Sequence, residues 1–366
     1  MEFEIEQPKF LSTLALAQTV ADKRNAMPVL ANVLLSVGKD GELICSATDM
    51  MISVTESTPV KVLEPGSLSL GVRHLHGVVR TLSDRPLKIK SLENHWAQIT
   101  VGRSEFRLMG MSESDFPKLP DPGGLSFSRV PGHQLADLIQ KTQFSVSTDE
   151  ARINLNGVLF ESDGKQATMV STDGHRLTKM TCAFVGPKLD RGIIIPRKGI
   201  LEIRKVLERS TGEVDMAIDD QHLFLRVGST TLSVKLSNVT FPPYQQVIPK
   251  AFTRRATALR EELASVLRRA EVMAPEKTAT VRLALKEGAL ELTADNPDLG
   301  VAHQEIEVDY KGEALVAGFN ARYLIQVLEA MDTNQVHLEF QGELDPCVLR
   351  PVDGPDYLGV VMPMRI

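Results

Sequence analysis

The chain has 366 residues, of which 43% are hydrophobic and 24% are charged, and its formal net charge is −6 at pH 7. No apolar run is long enough to cross a membrane, and no signal peptide is expected, because the N-terminus lacks a basic start followed by an apolar stretch. The negative net charge argues against a simple nucleic-acid-binding domain.

Turn and strand landmarks recur three times along the chain. Hairpin-type turns are offset by 123 and then 124 residues: Asp40-Gly41, Asp163-Gly164 and Glu287-Gly288. A second set of landmarks is offset by 124 and then 122 residues: Thr48-Asp49, Thr172-Asp173 and Ala294-Asp295. This spacing predicts three copies of one domain: 1–124, 125–253 and 254–366. Three tandem copies form an arc, and an arc is a building unit for a ring.

Each copy contains two stretches with apolar residues three and four positions apart, the pattern of a helix with one buried face. The first stretch opens each copy: 10–16, 135–139 and 263–267. The second stretch lies nearer the middle of each copy: 75–79, 200–207 and 323–328. We therefore expect two helices in every copy.

Strict alternation of apolar and polar residues predicts strands with one buried face. It is clearest in the third copy, at 281–285 and 290–292. Further alternating runs follow the second helix of each copy: 98–101, 223–227 and 336–340. Each copy closes at a proline: Phe116-Pro117, Phe241-Pro242 and Met362-Pro363. The predicted fold class is α+β, with two helices and many antiparallel strands in each of three tandem pseudo-repeats.

Charge is divided unevenly between the predicted helices and the rest of the chain. Six helix windows, 8–24, 72–85, 131–143, 196–209, 259–274 and 319–332, together carry +6, so the remainder carries −12. Nine basic residues supply much of the helical charge: Arg24, Arg73, Arg80, Arg197, Lys198, Arg204, Lys205, Arg268 and Arg269. A basic concave lining with an acidic exterior would hold a polyanion inside and repel it outside. For each single side chain, an ordinary solvated helix face is the alternative.

The segment 172–177 places Asp173 two residues before His175, which would suit a catalytic dyad. However, no nucleophile is fixed beside the pair, and no G-x-S-x-G elbow surrounds Ser171. A structural turn is the favoured interpretation, because Gly174 permits a sharp bend and Asp173 can accept backbone N–H bonds.

Metal and nucleotide sites are not predicted. His74 and His76 form a weak metal pair, because no third ligand lies at a recognisable spacing. No P-loop, dinucleotide fingerprint or H-E-x-x-H motif occurs, so we expect no cofactor. Cys45, Cys182 and Cys347 are odd in number and far apart. They are interpreted as small buried hydrophobes in a reducing cytoplasm, rather than as a disulfide framework or a zinc site.

The chain is apolar almost to its last residue, from Val360 to Ile366, whereas most termini are polar and frayed. Two interpretations have equal weight. The segment forms a final strand tucked into the third copy, or Met362, Pro363 and Met364 form an adaptable hydrophobic surface, because methionine side chains repack easily.

Six motifs are spread in order over the whole chain: Met27-Pro-Val-Leu-Ala-Asn32, Ser171-Thr-Asp-Gly-His-Arg-Leu177, Ile195-Pro-Arg-Lys-Gly199, Phe241-Pro-Pro-Tyr244, Gly318-Phe-Asn320 and Val361-Met-Pro-Met-Arg365. Together they resemble the bacterial β sliding clamp family, the processivity subunits of DNA polymerase III. The resemblance implies a DNA clamp fold, in which inner helices and outer sheets of two copies close head to tail into a six-domain ring.

The resemblance also implies the contact that closes this ring. Phe106 and Leu108 of the first domain would pair with Val272 and Met273 of the third domain of a second copy. Exposed alternation over 103–108 suits an edge strand that lacks a partner strand.

The family binds short linear peptides resembling Gln-Leu-x-Leu-Phe between its second and third domains. Matching positions in this sequence are Leu155, Thr172, Gly174, His175, Arg176, Leu177, Pro242, Val247, Asn320, Tyr323, Val360, Met362, Pro363, Met364 and Arg365. The implied partners are the catalytic subunit of DNA polymerase III, the clamp loader, other polymerases and repair proteins. Gln246 departs from the family, which would place a basic residue at this rim.

Duplex DNA is the remaining partner that the resemblance implies, bound without regard to sequence. The matching contact residues are Arg24, Arg73, Arg197 and Lys198. Asp149, Ile153 and Asn154 depart from the polar or aromatic DNA contacts of some family members.

The sequence therefore predicts a cytoplasmic, non-catalytic clamp that tethers a replicative polymerase to DNA. Two alternatives come from other functional classes. A hydrolase would use Asp173 and His175 in turnover of a small substrate. A DNA-binding regulator would bind short linear duplex tightly and in a sequence-dependent manner.

Overall fold

A computed structural model describes residues 1–22, 26–82, 85–210 and 212–365. The chain divides into two compact units that are interleaved in sequence. The first unit comprises Met1–His133 and Leu201–Leu236, and the second comprises Gln134–Ile200 and Ser237–Ile366. The three-domain division of the sequence at 124 and 253 stays a prediction.

Each of the six predicted helices is present among the described residues. Their bounds are α1 (Gln7–Val20), α2 (Val72–Thr81), α3 (Gly132–Thr142), α4 (Arg197–Leu207), α5 (Arg260–Met273) and α6 (Ala321–Glu329). In α1 the side chains of Phe10, Leu14 and Ala17 recur every three or four residues and are buried, as the periodicity predicts.

Strands make up most of the remaining secondary structure. In chain order they are β1 (Glu2–Glu6), β2 (Asn32–Val37), β3 (Glu42–Thr48), β4 (Ile52–Pro59), β5 (Lys61–Glu64), β6 (Gly66–Gly71), β7 (Pro86–Ser91), β8 (Trp96–Val101), β9 (Ser104–Met111), β10 (Ser128–Pro131), β11 (Gly157–Ser162), β12 (Gln166–Thr172), β13 (Arg176–Ala183), β14 (Ile193–Pro196), β15 (Glu213–Ile218), β16 (His222–Val227), β17 (Thr230–Lys235), β18 (Arg254–Leu259), β19 (Thr280–Lys286), β20 (Ala289–Asn296), β21 (Gly300–Glu307), β22 (Leu315–Asn320), β23 (Gln335–Phe340), β24 (Cys347–Pro351) and β25 (Asp356–Val361).

The first unit is built on one continuous antiparallel sheet. Its strand order is β10-β15-β16-β17-β4-β3-β2-β6-β9-β8-β7-β1-β5. The pairing of β17 with β4, Leu232 opposite Val54, joins two parts of the sequence that lie far apart. Helix α1 packs on β3 and β4, and the rings of Phe3 and Phe10 meet edge to face at 6.3 Å in the core.

The second unit contains two antiparallel sheets. The larger has the order β14-β11-β12-β13-β25-β24-β23-β18, and the smaller has the order β21-β20-β19-β22. Helix α5 packs on α6 and on β20 and β21, whereas α6 also contacts β22 and β25. The pairing of β13 with β25 brings the last strand of the chain beside the segment 172–177.

The three repeated turns have the same backbone conformation. Gly41, Gly164 and Gly288 have φ values of 87°, 92° and 73°, left-handed angles that glycine adopts without steric cost. The second landmark differs in the third copy, because Asp295 lies within β20 and the following turn begins at Asn296, whose side chain accepts the N–H of Asp298. Asp49 and Asp173, by contrast, lie after the ends of their strands.

Three further predictions concern cysteines, metals and membranes. Cys45 and Cys347 are buried free thiols, and burial raises the pKa of the half-buried Cys182 to about 11. Over the described ranges, no cluster of His, Cys, Asp and Glu could hold a metal ion. No helix in the described part of the chain is long and apolar enough to span a membrane.

Gly359 of β25 tests the packing of α6 on this strand. A Cβ added to Gly359 would lie 2.3 Å from Val327 Cγ1 and 2.8 Å from Cγ2, and valine is rotationally stiff in a helix. We expect Gly359→Ala to lower the free energy of unfolding by about 1–3 kcal/mol in urea titrations followed by circular dichroism.

Adding Val327→Ala to Gly359→Ala removes the clashing methyl groups. The double variant should therefore have a higher free energy of unfolding than the sum of the two single effects predicts. Gly77→Ala is the control, since an added Cβ there meets nothing within 4 Å. A Gly359→Ala protein as stable as the parent would show that α6 does not pack on β25 in this way.

Candidate functional site

A tight turn between β12 and β13 forms the framework of the candidate site. Thr172 Oγ1 donates to the carbonyl of Arg176 at 2.6 Å and accepts from the N–H of Gly174 at 3.1 Å. Asp173 Oδ1 accepts from the N–H groups of His175 and Arg176 at 2.9 and 3.0 Å. Gly174 has a left-handed φ of 87°. The turn is thus held by its own side chains, as the structural interpretation of this segment predicts.

The buried side chain of Arg176 connects this turn to two other segments. Its guanidinium donates to Asp173 Oδ2 at 3.1 Å, to Gln326 Oε1 of α6 and to the carbonyl of Phe144. Its Cζ also lies 4.4 Å from the ring centroid of Tyr323 and 5.4 Å from that of Phe144, within the range of cation–π attraction. One cation therefore fixes the turn against α6 and against the segment that follows α3.

The C-terminal segment lies against the same turn. The N–H of Met362 donates to the carbonyl of His175 at 2.9 Å, and the N–H of Met364 donates to the carbonyl of Gly318 at 2.8 Å. Met362, Pro363 and Met364 are half-buried. β25 is a final strand, as the first interpretation predicts, and the residues after it present partly exposed apolar side chains. The adaptable surface of the second interpretation stays a prediction.

An apolar cluster lies within the same unit. Leu177 and Val360, which are paired between β13 and β25, belong to it. Its other buried members are Leu159, Val170, Ile194, Tyr244, Val348 and Leu358, and partly buried side chains pack against them: Val239, Phe241, Ile248 and Phe252. Pro242 and the exposed Val247 lie in the segment 239–252, which provides these partly buried side chains. The cluster thus has a partly exposed apolar margin.

Tyr244 fixes one end of this margin. Its hydroxyl donates to Glu161 Oε2 at 2.9 Å. Burial, together with this hydrogen bond, raises the pKa of Tyr244 to about 12. The phenol therefore stays neutral at physiological pH and keeps its hydrogen bond to the carboxylate of Glu161.

The remaining predicted pocket residues also lie in the second unit, as do all those described above. Asn320 Oδ1 caps α6 by accepting the N–H of Tyr323 at 3.3 Å. Leu155 is buried in a short 3₁₀ turn, and Arg365 is exposed. No hydrogen bond or ion pair within the described ranges joins Arg365, Pro242 or Val247 to the turn at 172–177.

The structure adds residues that the sequence reasoning missed. Phe144 and Gln326 are the partners of Arg176 described above. Gln326 could have been identified from its spacing, because it lies three residues after Tyr323 on the same helix face. A polar cavity of about 370 Å³ adjoins the turn, and its lining includes Gln143, Ser147, Asp149, Arg152 and Arg197 together with His175, Arg176 and Tyr323.

The catalytic alternative is not supported by this geometry. Asp173 Oδ1 is occupied by two backbone N–H groups, and Oδ2 is occupied by Arg176. The side chain of His175 is exposed, and no described hydrogen bond joins it to this carboxylate. The carboxylate therefore stabilises a turn instead of orienting an imidazole.

Comparisons with known proteins find relatives that match the chain over its whole length. Models of the N-terminal, central and C-terminal domains of the DNA polymerase III beta subunit match residues 1–120, 129–243 and 245–365. The beta sliding clamps of Pseudomonas aeruginosa and Haemophilus influenzae are 33% and 32% identical, each with full coverage of both chains. The chain belongs to the β sliding clamp family.

Solved structures of the family confirm the fold-class prediction. A crystal structure of the DNA polymerase sliding clamp from Caulobacter crescentus superimposes with a TM-score of 0.94 at 31% identity, with 100% of both chains covered. The α+β architecture of helices and antiparallel sheets is therefore that of the DNA clamp fold.

The predicted DNA contacts of this clamp lie at helices where the structure describes them. Arg73 of α2 and Arg197 and Lys198 of α4 are exposed, and neither Arg73 nor Arg197 makes an ion pair with another described residue. Arg24 lies outside the described residues. Part of the helical charge is neutralised by acidic partners among the described residues: Arg204 pairs with Glu208, Lys205 with Glu202, and Arg268 with Glu329.

The residues predicted to close the clamp ring lie at an exposed strand and an exposed helix end. Phe106 and Leu108 are half-buried on β9, whose residues before Gly110 pair only with β8 among the described strands. Val272 is 74% exposed and Met273 half-buried at the end of α5. β21, which contacts α5, is an edge strand of its sheet. Each unit therefore has a strand edge available for pairing.

Arg176 allows a direct test of this site. We expect Arg176→Ala to lower the free energy of unfolding by about 2–4 kcal/mol, because the substitution removes the guanidinium donor from Asp173 Oδ2 and from the Phe144 carbonyl. Urea titration measures the change. Arg176→Lys should recover only part of the loss, because lysine lacks the planar fork that reaches three partners.

Arg129→Ala is the matched control, because Arg129 is exposed and lies 3.8 Å from Asp215 in a solvent-accessible ion pair away from the turn. We expect this control to cost less than about 1 kcal/mol. Equal effects of the two alanine substitutions would contradict the bridging role of Arg176.

Proposed function

We propose that the protein is a non-catalytic sliding clamp that acts in the cytoplasm at replication forks. It encircles duplex DNA as a head-to-tail homodimer and tethers the catalytic subunit of DNA polymerase III. The clamp loader, other polymerases and repair proteins bind the same site through short linear motifs. ATP is used by the loader that opens the ring, and this chain needs no cofactor.

The mechanism is an increase in effective concentration. A polymerase bound to a clamp that cannot leave the DNA rebinds its primer terminus before it diffuses away. The clamp therefore needs durable retention on DNA but an exchangeable contact with each partner. Burial of one leucine and one phenylalanine contributes on the order of 3–6 kcal/mol before ordering costs, which suits exchange.

The observation that carries the proposal is the turn fixed by Arg176 beside the partly exposed C-terminal residues. Met362 lies against the turn through its bond to His175, and Leu177 and Val360 connect the turn to the apolar cluster. A peptide bound here would meet a rigid backbone on one side and adaptable methionines on the other. The predicted peptide pocket is therefore our proposed partner site.

Charge and strand edges support the proposals for DNA and the homodimer. The exposed Arg73 and Arg197 provide cations for phosphates, and contacts of this kind carry no sequence preference. Pairing of the β9 edge of one copy with the β21 edge of another would satisfy the exposed backbone groups of both strands. A heterologous contact of this type gives a ring when it closes after two copies.

Met362 provides the test of the peptide site. We expect Met362→Ala to weaken binding of a fluorescent Gln-Leu-Ser-Leu-Phe peptide about tenfold in polarisation titrations, because about 1.4 kcal/mol of apolar contact is lost. Val185→Ala, at an exposed apolar residue elsewhere in the same unit, should bind as tightly as the parent. Equal affinity of the parent and Met362→Ala would remove the C-terminal segment from the site.

Retention on DNA tests the clamp itself. The protein is loaded onto nicked circular plasmid with its cognate loader and ATP, washed in high salt, and the circle is then cut once. We expect retention on the circle and release after cutting, because topological binding depends on the absence of ends. Retention on both forms would show binding by contact and overturn the proposal.

Two arginine substitutions separate contact from topology in the same assay. Arg73→Ala and Arg197→Ala together should weaken binding to short linear duplex. They should also reduce, by about 2, the steepness of the slope of the logarithm of the binding constant against the logarithm of salt concentration. Lys165→Ala, an exposed cation in the hairpin between β11 and β12, should leave both unchanged. Retention of the loaded double variant on intact circles should persist after the high-salt wash.

A further inference from the structure

The first unit contains a second copy of the turn fixed by Arg176. Between β3 and β4, Thr48 Oγ1 donates to the carbonyl of Ile52 at 2.9 Å and accepts from the N–H of Met50 at 3.0 Å. Asp49 Oδ1 accepts from the N–H groups of Met51 and Ile52 at 2.9 and 2.6 Å. These four hydrogen bonds reproduce those of the turn between β12 and β13, 124 residues later.

The strand beside the turn is also equivalent. β17 pairs antiparallel with β4, as β25 pairs with β13. The N–H of Lys235, at the end of β17, donates to the carbonyl of Met51 at 2.8 Å. The N–H of Met362, after β25, donates to the carbonyl of His175 at 2.9 Å. The backbone framework of the proposed peptide site is therefore present in both units.

The loop before the turn follows the same equivalence. The N–H of Asp22 donates to the carbonyl of Leu30, and the N–H of Ser147 donates to the carbonyl of Leu155, 125 residues later in both cases. This offset makes Met27 the counterpart of Arg152. In the second unit these positions adjoin, because a Cβ at Gly174 would lie 3.0 Å from Arg152 Nη1.

The outward-facing side chains differ between the two copies. Met27, Met50 and Met51, here called the methionine surface, stand in place of Arg152, Gly174 and His175, and are 45%, 53% and 48% exposed. Ile52, which is buried, stands in place of Arg176. The framework is thus retained while Arg152, His175 and Arg176 are replaced by apolar side chains and Met362 is replaced by Lys235.

Met50 occupies a backbone conformation that favours glycine. Its φ is 74°, whereas the equivalent position in the second unit has Gly174 at 87°. Left-handed angles are sterically unfavourable for residues with a Cβ. An exposed methionine is therefore held at a strained position where glycine is sufficient for the turn, and strain of this kind is associated with binding sites.

We propose that the methionine surface is a second docking site, which takes an extended apolar peptide segment. The inference rests on the proposed function, because the equivalent turn forms the proposed peptide site. Met27 and Ile52 stand where Arg152 and Arg176 would attract acidic residues near a bound motif, and the exposed Lys235 stands where Met362 lies, so the methionine side chains supply the apolar contacts. Methionine side chains adapt to differently shaped leucine and phenylalanine groups.

Methyl NMR of the full-length protein labelled with ¹³C-methyl methionine tests the proposal, with the peptide Gln-Leu-Ser-Leu-Phe as probe. The Met362→Ala background weakens the first site. We expect the peptide to shift the Met50 and Met51 resonances in this background. Met50→Gly combined with Met51→Thr should weaken the second association at least about tenfold, as measured from the remaining Met27 resonance. In the protein that retains Met362, the same two substitutions should leave the peptide-induced shifts at Met364 unaltered.

A thermal melt separates loss of binding from loss of structure. Met50→Gly alone removes the unfavourable φ, so its melting temperature should not fall below that of the parent. Lost peptide binding in a variant of undiminished stability therefore supports a docking role for the side chain, as opposed to a purely structural role.

The contrary outcomes are distinguishable. Shifts at Met362 and Met364 of the parent without shifts at Met50 and Met51 would overturn the second site and leave the proposed function intact. Shifts at neither pair would contradict the proposed peptide site and this inference together. Movement of the Met50 and Met51 resonances with protein concentration alone would show that a second copy of the chain covers the surface, which also overturns the proposal.

Discussion

The guanidinium of Arg176 carries five N–H donors, and its burial requires the protein to supply acceptors for them. The chain provides a carboxylate from the turn itself, an amide oxygen from α6 and a carbonyl from the segment after α3. The ring of Tyr323 covers one face of the cation. Because these acceptors lie on three separate segments, one side chain sets the positions of the turn, the helix and, through the carbonyl of His175, the C-terminal residues.

The two equivalent turns show that framework and recognition are separable in this fold. Short polar side chains, threonine and aspartate, hold the backbone in both copies through bonds to their own neighbours. Such local bonds need nothing from the rest of the protein. The outward positions are then free to differ, with Arg152 and His175 in one copy and Met27 and Met51 in the other. A repeated domain can thereby acquire different binding preferences without a change of fold.

Local patterns in the sequence predicted the helices, the hairpin turns and the role of Asp173, because each depends on residues a few positions apart. Local patterns alone could not predict the contact between Arg176 and Gln326, since the two residues lie 150 positions apart. Gln326 becomes identifiable only through its spacing to Tyr323, which came from the family resemblance. The charge pattern was informative but incomplete, because Glu202 and Glu329 neutralise cations that the sequence would assign to a DNA-facing surface. The pocket residues came from the family resemblance, and the cavity beside them came only from the structure.

The continuous sheet of the first unit also has a consequence for synthesis on the ribosome. Strand β4 ends at Pro59, but its neighbour β17 begins at Thr230. At translation rates of about 5–20 residues per second, one edge of the nascent sheet waits roughly 10–35 s for its partner strand. During that interval Ile52 and Val54 are on an open edge, where pairing with another nascent chain competes with native folding. The order of synthesis thus makes this strand a point at which chaperone protection would matter, as it does β13, which ends at Ala183 and whose partner β25 begins at Asp356.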